Sequence, residues 1–294
     1  MTTELDYKNI SSNILVDTNW MEDHLYDENI RIFEIDYDFK NNYLEGHIPG
    51  ALLLKWKEDL NNYLTRDILS RRSYQKLLQK SGVNNKTTVV LYGDFNNWFA
   101  TFAFWIFKYY QFNDVRLIDG GRSKWIKENR ITSKKIIKFK KGDFISSLPR
   151  NENIRASYNY ILDNLWYSKE GPKKILLDTR SSDEYVGKIS APPEYPDENT
   201  QRGGHIPGAI NIPWENAIRG DGTFKTYSEL LNLYSSKGIT PDNEIITYCR
   251  IGERSSLTWF ALKYILGYPN VKNYDGSWTE WGNVVHSPIK RGKK

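Results

Sequence analysis

The stretch Ile245-Ile246-Thr247-Tyr248-Cys249-Arg250-Ile251-Gly252-Glu253-Arg254-Ser255-Ser256 decides how this chain is read. Its first four residues are β-branched or aromatic and make a strand, and a short polar loop follows. A helical pattern then runs over Ser255–Leu266 and is stopped by Gly267 and Pro269. Strand, tight loop and helix in that order form one step of a parallel sheet with crossover helices. The pattern returns upstream without a gap at an offset of 156: Tyr92 falls on Tyr248, Phe104 on Phe260, Val115 on Val271, Asp119 on Asp275, Gly120 on Gly276 and Trp125 on Trp281. His47-Ile48-Pro49-Gly50-Ala51 recurs as His205-Ile206-Pro207-Gly208-Ala209 at an offset of 158, and Ile35-Asp36 matches Leu177-Asp178 at 142. The gap between 158 and 142 puts 16 extra residues in Lys188–Gly204, whose Pro192, Pro193 and Pro196 read as loop. One fold is present twice.

Further strand candidates are Arg31–Ile35, Thr88–Tyr92 and Val115–Ile118 in the first half, and Ile175–Leu177 and Val271–Tyr274 in the second. The expected class is α/β, two tandem domains, each a central parallel β-sheet flanked by helices. The expected bounds are 1–135, a linker over 136–151, and 152–294. A length of 294 residues suits two domains. Although hydrophobic residues are only 39 %, 10 Trp, 20 Tyr and 12 Phe can fill two cores. Mean hydropathy is −0.64 and no apolar run reaches membrane-spanning length, so no span is expected. The start Met1-Thr2-Thr3-Glu4-Leu5-Asp6 shows no signal-peptide pattern. The single cysteine, Cys249, excludes an internal disulfide and a multi-cysteine zinc site, and points to a reducing cytoplasm. The net charge of +5 owes much to Lys134–Lys141 and the tail Lys290–Lys294, which lack the motif context of a nucleic-acid module and read as solvated.

Cys249 sits just beyond a strand end and before a helix, the position at which open α/β sheets bind ligands. Backbone N–H groups of the loop and the helix dipole favour an anion there, and Arg250 and Arg254 add positive charge. A thiolate in that setting is expected to have a lowered pKa, within about 3.5–7.5, and to need no histidine base. The spacing is Cys-x4-Arg to Arg254, and the sixth residue after Cys249 is Ser255. Phosphate-wrapping loops need Cys-x5-Arg, so the shorter loop suits a smaller target, such as one sulfur atom on the cysteine.

At this point the sequence resembles the rhodanese family, in particular its two-domain thiosulfate sulfurtransferases. Tyr43-x-x-x-His47-Ile48-Pro49-Gly50-Ala51-x-x-Leu54 fits the family's N-terminal signature. Val271-x-x-Tyr274-Asp275-Gly276-Ser277-Trp278-x-Glu280-Trp281 fits its C-terminal one. The resemblance implies a silent first domain and a catalytic second one. Gly93, Asp94 and Trp98 stand at the positions of Cys249, Arg250 and Arg254, and Asp36-Tyr37-Asp38 lacks the arginine of Asp178-Thr179-Arg180. The resemblance makes Arg180 a ligand of the substrate anion, Asp178 a loop orienter, and Ile251, Gly252 and Glu253 part of the active-site loop. Trp98, Phe99 and Trp214 become cleft-lining aromatics. His47 and His205 read as structural, and Glu253 as a salt-bridge partner for a flanking arginine. Ile251 stands where animal thiosulfate-type loops carry lysine, and Arg250 with Ile251 departs from the mercaptopyruvate-type Cys-Gly-[Ser/Ala]-Gly.

The implied chemistry is ping-pong transfer of the sulfane sulfur of thiosulfate through a Cys249 persulfide to cyanide or a thiol, without metal or organic cofactor. The alternatives are 3-mercaptopyruvate as donor, or a persulfide carrier that serves a protein or RNA partner.

Overall fold

The computed structural model describes residues 13–167, 173–190 and 198–292. The N-terminal hexapeptide read for a signal, Pro192, Pro193 and Pro196, and the last two tail lysines lie outside them. The chain divides into two compact units at Asn151/Glu152, and the short stretch Gly220–Phe224 groups with the first.

In the first unit β1 (Leu15–Val16) and α1 (Thr18–Asp23) precede the central strand β2 (Ile30–Asp36). There follow β3 (Leu52–Lys55), α2 (Trp56–Asp59), α3 (Arg71–Lys80), β4 (Thr88–Gly93), α4 (Trp98–Tyr109), β5 (Val115–Ile118) and α5 (Gly121–Lys127). The sheet is parallel throughout, in the order β1-β5-β4-β2-β3. The second unit has α6 (Tyr158–Tyr167), β6 (Lys174–Asp178), α7 (Ser182–Val186), β7 (Ile210–Asn211), α8 (Tyr227–Ser235), β8 (Glu244–Tyr248), α9 (Glu253–Phe260), β9 (Val271–Asn273) and α10 (Ser277–Trp281). Its sheet, again parallel, runs β7-β6-β8-β9. The two orders match strand for strand. Where β1 pairs with β5 in the first unit, the second has only the single bridge of Arg155 to Asn273.

Every strand read from the sequence is present within a residue of its expected ends. The strands it missed, β1, β3 and β7, are two to four residues long and lie at sheet edges. Too few residues remain there for a periodicity. The helix expected over Ser255–Leu266 starts earlier, at Glu253, and its second half is a π turn over Ala261–Ile265.

The aromatic excess is explained by α4. Each of its residues except Lys108 is buried, so no polar face is needed and Trp98, Phe99, Phe102, Phe104, Trp105 and Phe107 point in all directions. The repeated motif is structural, as expected. His47 stacks on Tyr43 at 3.8 Å and His205 on Tyr185 at 3.7 Å, each ring nitrogen Nδ1 bonded to the carbonyl of the same tyrosine. Gly50 and Gly208 close the two turns at φ +85° and +82°. The hydroxyls of Tyr92 and Tyr248 accept from the Ile48 and Ile206 N–H groups and tie each motif to its central sheet.

One expectation changes. The stretch 136–151 is no free linker but part of the first unit: Gly142 N–H donates to Gln79 O at 2.8 Å, Gln79 Nε2 donates to Phe144 O, and Phe144 is buried. Its lysines, including Lys138, Lys140 and Lys141, stay exposed. Among the described residues no helix is long and apolar enough to cross a membrane.

Candidate active site

Parallel pairing aligns the strand ends of the second unit. Asp178 pairs with Tyr248 across β6 and β8, so Asp178-Thr179-Arg180 and Cys249-Arg250 emerge side by side at the carboxyl edge. Thr179 N–H donates to Tyr248 O and Trp214 N–H to Thr179 O, both at 2.9 Å, which brings the start of the 214–217 turn to the same edge. The Cys249 backbone is clamped from the other side: its N–H donates to Ser277 Oγ at 3.1 Å, and its carbonyl accepts from Trp278 N–H at 3.1 Å.

The loop then turns through Gly252 at φ +95°, and α9 begins. A Cβ on Gly252 would lie 2.8 Å from Asp275 Cα. Gly252→Ala is therefore expected to cost about 1–3 kcal/mol, from the left-handed backbone and this collision, and to lower Tm by several degrees. A thermal melt matching wild type would refute that.

The sulfur of Cys249 accepts from Gly252 N–H at 3.2 Å, and its S–H donates to Glu253 Oε2 at 3.2 Å. The same Oε2 takes the Ile251 N–H at 3.2 Å. The cradle of N–H groups expected around the sulfur is thus shared with a carboxylate. This overturns the expected lowered pKa. Complete burial, and next the Glu253 carboxylate, push the Cys249 thiol up to about 11, against a smaller opposing pull from Arg254.

The arginines differ from one another. Arg180 is 1 % exposed and locked on Asp178 by two bonds, Nε–Oδ1 at 3.0 Å and Nη2–Oδ2 at 2.5 Å. It also donates to Gly204 O at 2.8 Å and lies 4.4 Å from the Trp278 ring centroid. Arg254 forms a bidentate pair with Glu184 at 2.8 and 3.0 Å and reaches Glu253 Oε1 at 3.3 Å. Burial pushes the Glu184 carboxyl up, but Arg254 holds it down at about 2. Arg250 has no carboxylate partner among the described residues. It donates to the Glu198 and Ser190 carbonyls, its Nη2 is buried without a partner among the described residues, and burial pulls its pKa down to about 10. Arg250, through Nη2, and Arg180, whose Nη1 makes no hydrogen bond among the described residues, each keep a donor for an anion.

Four residues that hold this arrangement were missed. Glu184 was visible as the end of a Ser181-x-x-Glu184 capping box, which the structure forms, but its second role toward Arg254 is a tertiary contact. Ser277, Trp278 and Asn273 lie in or beside the C-terminal signature. Asn273 braces the loop by donating to Gly252 O at 3.1 Å and accepting from Ser255 Oγ at 2.6 Å.

Trp98 and Phe99 lie in the aromatic cluster of the first unit. Phe99 is fully buried between Tyr37 at 5.5 Å and Trp56 at 5.3 Å, and Trp98 stacks on Phe95 at 5.6 Å. The edge equivalent to Cys249 offers no nucleophile. A Cβ on Gly93 would meet the Ile35 carbonyl oxygen at 2.3 Å, so no larger side chain fits that backbone. Where the second unit gathers arginines, the first buries Glu34, Asp36 and Asp94, and burial pushes Glu34 and Asp36 up to about 9 and 6. Among the described residues no group of three metal-ligating side chains converges.

Comparison with known proteins agrees with this architecture. The family described as the Rhodanese-like domain matches residues 17–128 and 162–283. A Thermus thermophilus protein named sulfur carrier protein TtuD is 49 % identical over 282 residues, 96 % of this chain and 98 % of the relative. A Haloferax volcanii protein, provisionally named a thiosulfate sulfurtransferase, is 44 % identical over 96 % of this chain and 98 % of its own. Among solved structures, EanB with a cysteine persulfide, in a tetrahedral intermediate state with ergothioneine, superposes with a TM-score of 0.84 at 26 % identity, over 97 % of this chain and 72 % of EanB. The chain belongs to the rhodanese family and carries a rhodanese-like domain in each half.

Proposed function

We propose that the protein is a thiosulfate sulfurtransferase that works through a persulfide on Cys249 in the second unit, with the first unit silent. The observation that carries this reading is a single thiol at a strand end, held by the Gly252 N–H and followed in the chain by Arg250, whose buried Nη2 has no partner among the described residues. Arg250 receives the sulfonate of thiosulfate. The Cys249 sulfur attacks the sulfane sulfur, a new S–S bond forms, and the old one breaks with its electron pair leaving on sulfite. The persulfide takes the Gly252 N–H, as an oxyanion takes donors elsewhere. Cyanide or a thiol then removes the outer sulfur and returns Cys249 to its resting state. Arg180 and Arg254, each held by a carboxylate, set the shape and charge of the pocket around these steps. No cofactor has a part in them, and the chemistry suits a reducing cytoplasm.

A second reading, a carrier that hands persulfide sulfur to a partner macromolecule, is favoured by the name of the Thermus relative at 49 % identity. Intact mass tests both. Incubation with thiosulfate is expected to add one sulfur atom, and cyanide is expected to remove it at a rate matching turnover. Loading followed by discharge only to a protein thiol or an RNA would favour the carrier. A higher kcat/KM with 3-mercaptopyruvate than with thiosulfate would overturn the donor.

A further inference from the structure

We propose that Glu253 takes the proton of the Cys249 thiol as the sulfur attacks its donor, which makes it the general base of sulfur loading. The proposal rests on Cys249 being the sulfur-accepting residue. Its footing is geometric. Glu253 Oε2 is 3.2 Å from Sγ, the S–H points to it, and the carboxylate is fully buried on the first turn of α9. No histidine is available: His286 is the nearest in sequence, and His205 is occupied by Tyr185.

The surroundings keep Glu253 able to accept. Arg254 donates to Oε1 at 3.3 Å and the Ile251 N–H to Oε2 at 3.2 Å, and these two bonds hold the carboxylate in place against the sulfur. Arg254 is itself shared with Glu184, so its charge is divided between two carboxylates. The other charged groups on neighbouring elements are closed on themselves: Arg180 on Asp178 from the end of β6, and Asp275 on Arg155 at 2.8 Å beyond β9. Arg250 is bonded to two carbonyls. Ser277 and Ser255 are neutral.

In the step itself the S–H bond breaks and its proton passes to Oε2. The freed electron pair forms the bond to the sulfane sulfur, and sulfite leaves with the pair of the broken S–S bond. Transfer also neutralises Glu253 at the moment when a dianionic donor stands beside it, so the like-charge repulsion that a permanent carboxylate would exert is removed. The proton returns when the second acceptor restores the thiol. A base held within hydrogen-bond reach is the requirement for such catalysis, which contributes about 10²–10⁴-fold.

The test is Glu253→Gln, which keeps the side-chain shape and an oxygen for the Ile251 N–H. Two rates are measured from pH 6 to 10: sulfur loading from thiosulfate by intact mass, and alkylation of Cys249 by iodoacetamide. Wild type is expected to be nearly flat in both, because the base is held at the sulfur and hydroxide is not needed to take the proton. In the variant both are expected to fall about 10²-fold or more at pH 7, and then to recover tenfold per pH unit as hydroxide supplies the thiolate. Parallel profiles, or a variant as fast as wild type at pH 7, overturn the proposal. A wild type that gains no sulfur but shows the alkylation difference removes thiosulfate as donor and keeps Glu253 as base.

Discussion

Cys249→Ser is expected to lower sulfur transfer by roughly 10⁴-fold or more and to abolish the mass gain, because the nucleophile is lost and no second thiol exists to replace it. The fold should survive the change. The side chain is small, and its contacts are a Gly252 N–H and a Glu253 carboxylate, both of which a hydroxyl can satisfy. Circular dichroism and Tm should therefore match wild type within a degree or two while turnover disappears. Retained transfer in the serine variant would move the chemistry away from this loop and with it the whole assignment to the second unit.

Arg180→Ala is expected to act chiefly on stability. The resemblance to the family implied a substrate ligand whose removal weakens thiosulfate binding and leaves the fold. In the structure Nε and Nη2 of the guanidinium are held by Asp178 and Gly204, and Nη1 is the part left for a ligand. Its removal leaves Asp178, which is fully buried, as an uncompensated charge. Breaking a buried pair from one side costs about 3–5 kcal/mol, or a fall in Tm of roughly 10 °C at the 2–4 °C per kcal/mol usual for chains of this size. The double variant Asp178→Leu/Arg180→Met removes both charges and should recover most of that loss, which a double-mutant cycle would register as a large coupling. An Arg180→Ala protein with unchanged Tm and a raised KM for thiosulfate would restore the arginine to the substrate. The same reasoning applies to Arg254 with Glu184, whereas Arg250, which has no carboxylate partner among the described residues, is the arginine whose loss should act on donor binding with the smallest loss of stability.

Much was legible in the residues. The duplication follows from three offsets, and the strands from β-branched runs such as Ile245–Tyr248 and Val115–Ile118. The place of Cys249 at a strand end follows from the helix signals behind it. The edge strands were not legible, since β7 is two residues long and a period needs more. The linker reading of 136–151 failed because its composition is basic and polar, and only the packing of Phe144 shows that it belongs to the first unit.

The electrostatic state of the site lay beyond the sequence for a physical reason. A list of residues around Cys249 contains Arg250, Glu253 and Arg254, and within the loop alone the arginines outnumber the acid. Which charges cancel depends on which side chains meet across the sheet edge. Glu184, 70 residues before Arg254, takes up that arginine, and Asp178 takes up Arg180, which comes from outside the loop. Burial then decides the rest, because a thiol removed from water beside a carboxylate keeps its proton. By itself the sequence determined a doubled α/β fold with one cysteine, placed at a strand end of the second half. Only the tertiary structure decided that Glu253 accepts from the Cys249 sulfur, that Glu184 and Asp178 hold Arg254 and Arg180, and that Arg250 meets no carboxylate among the described residues.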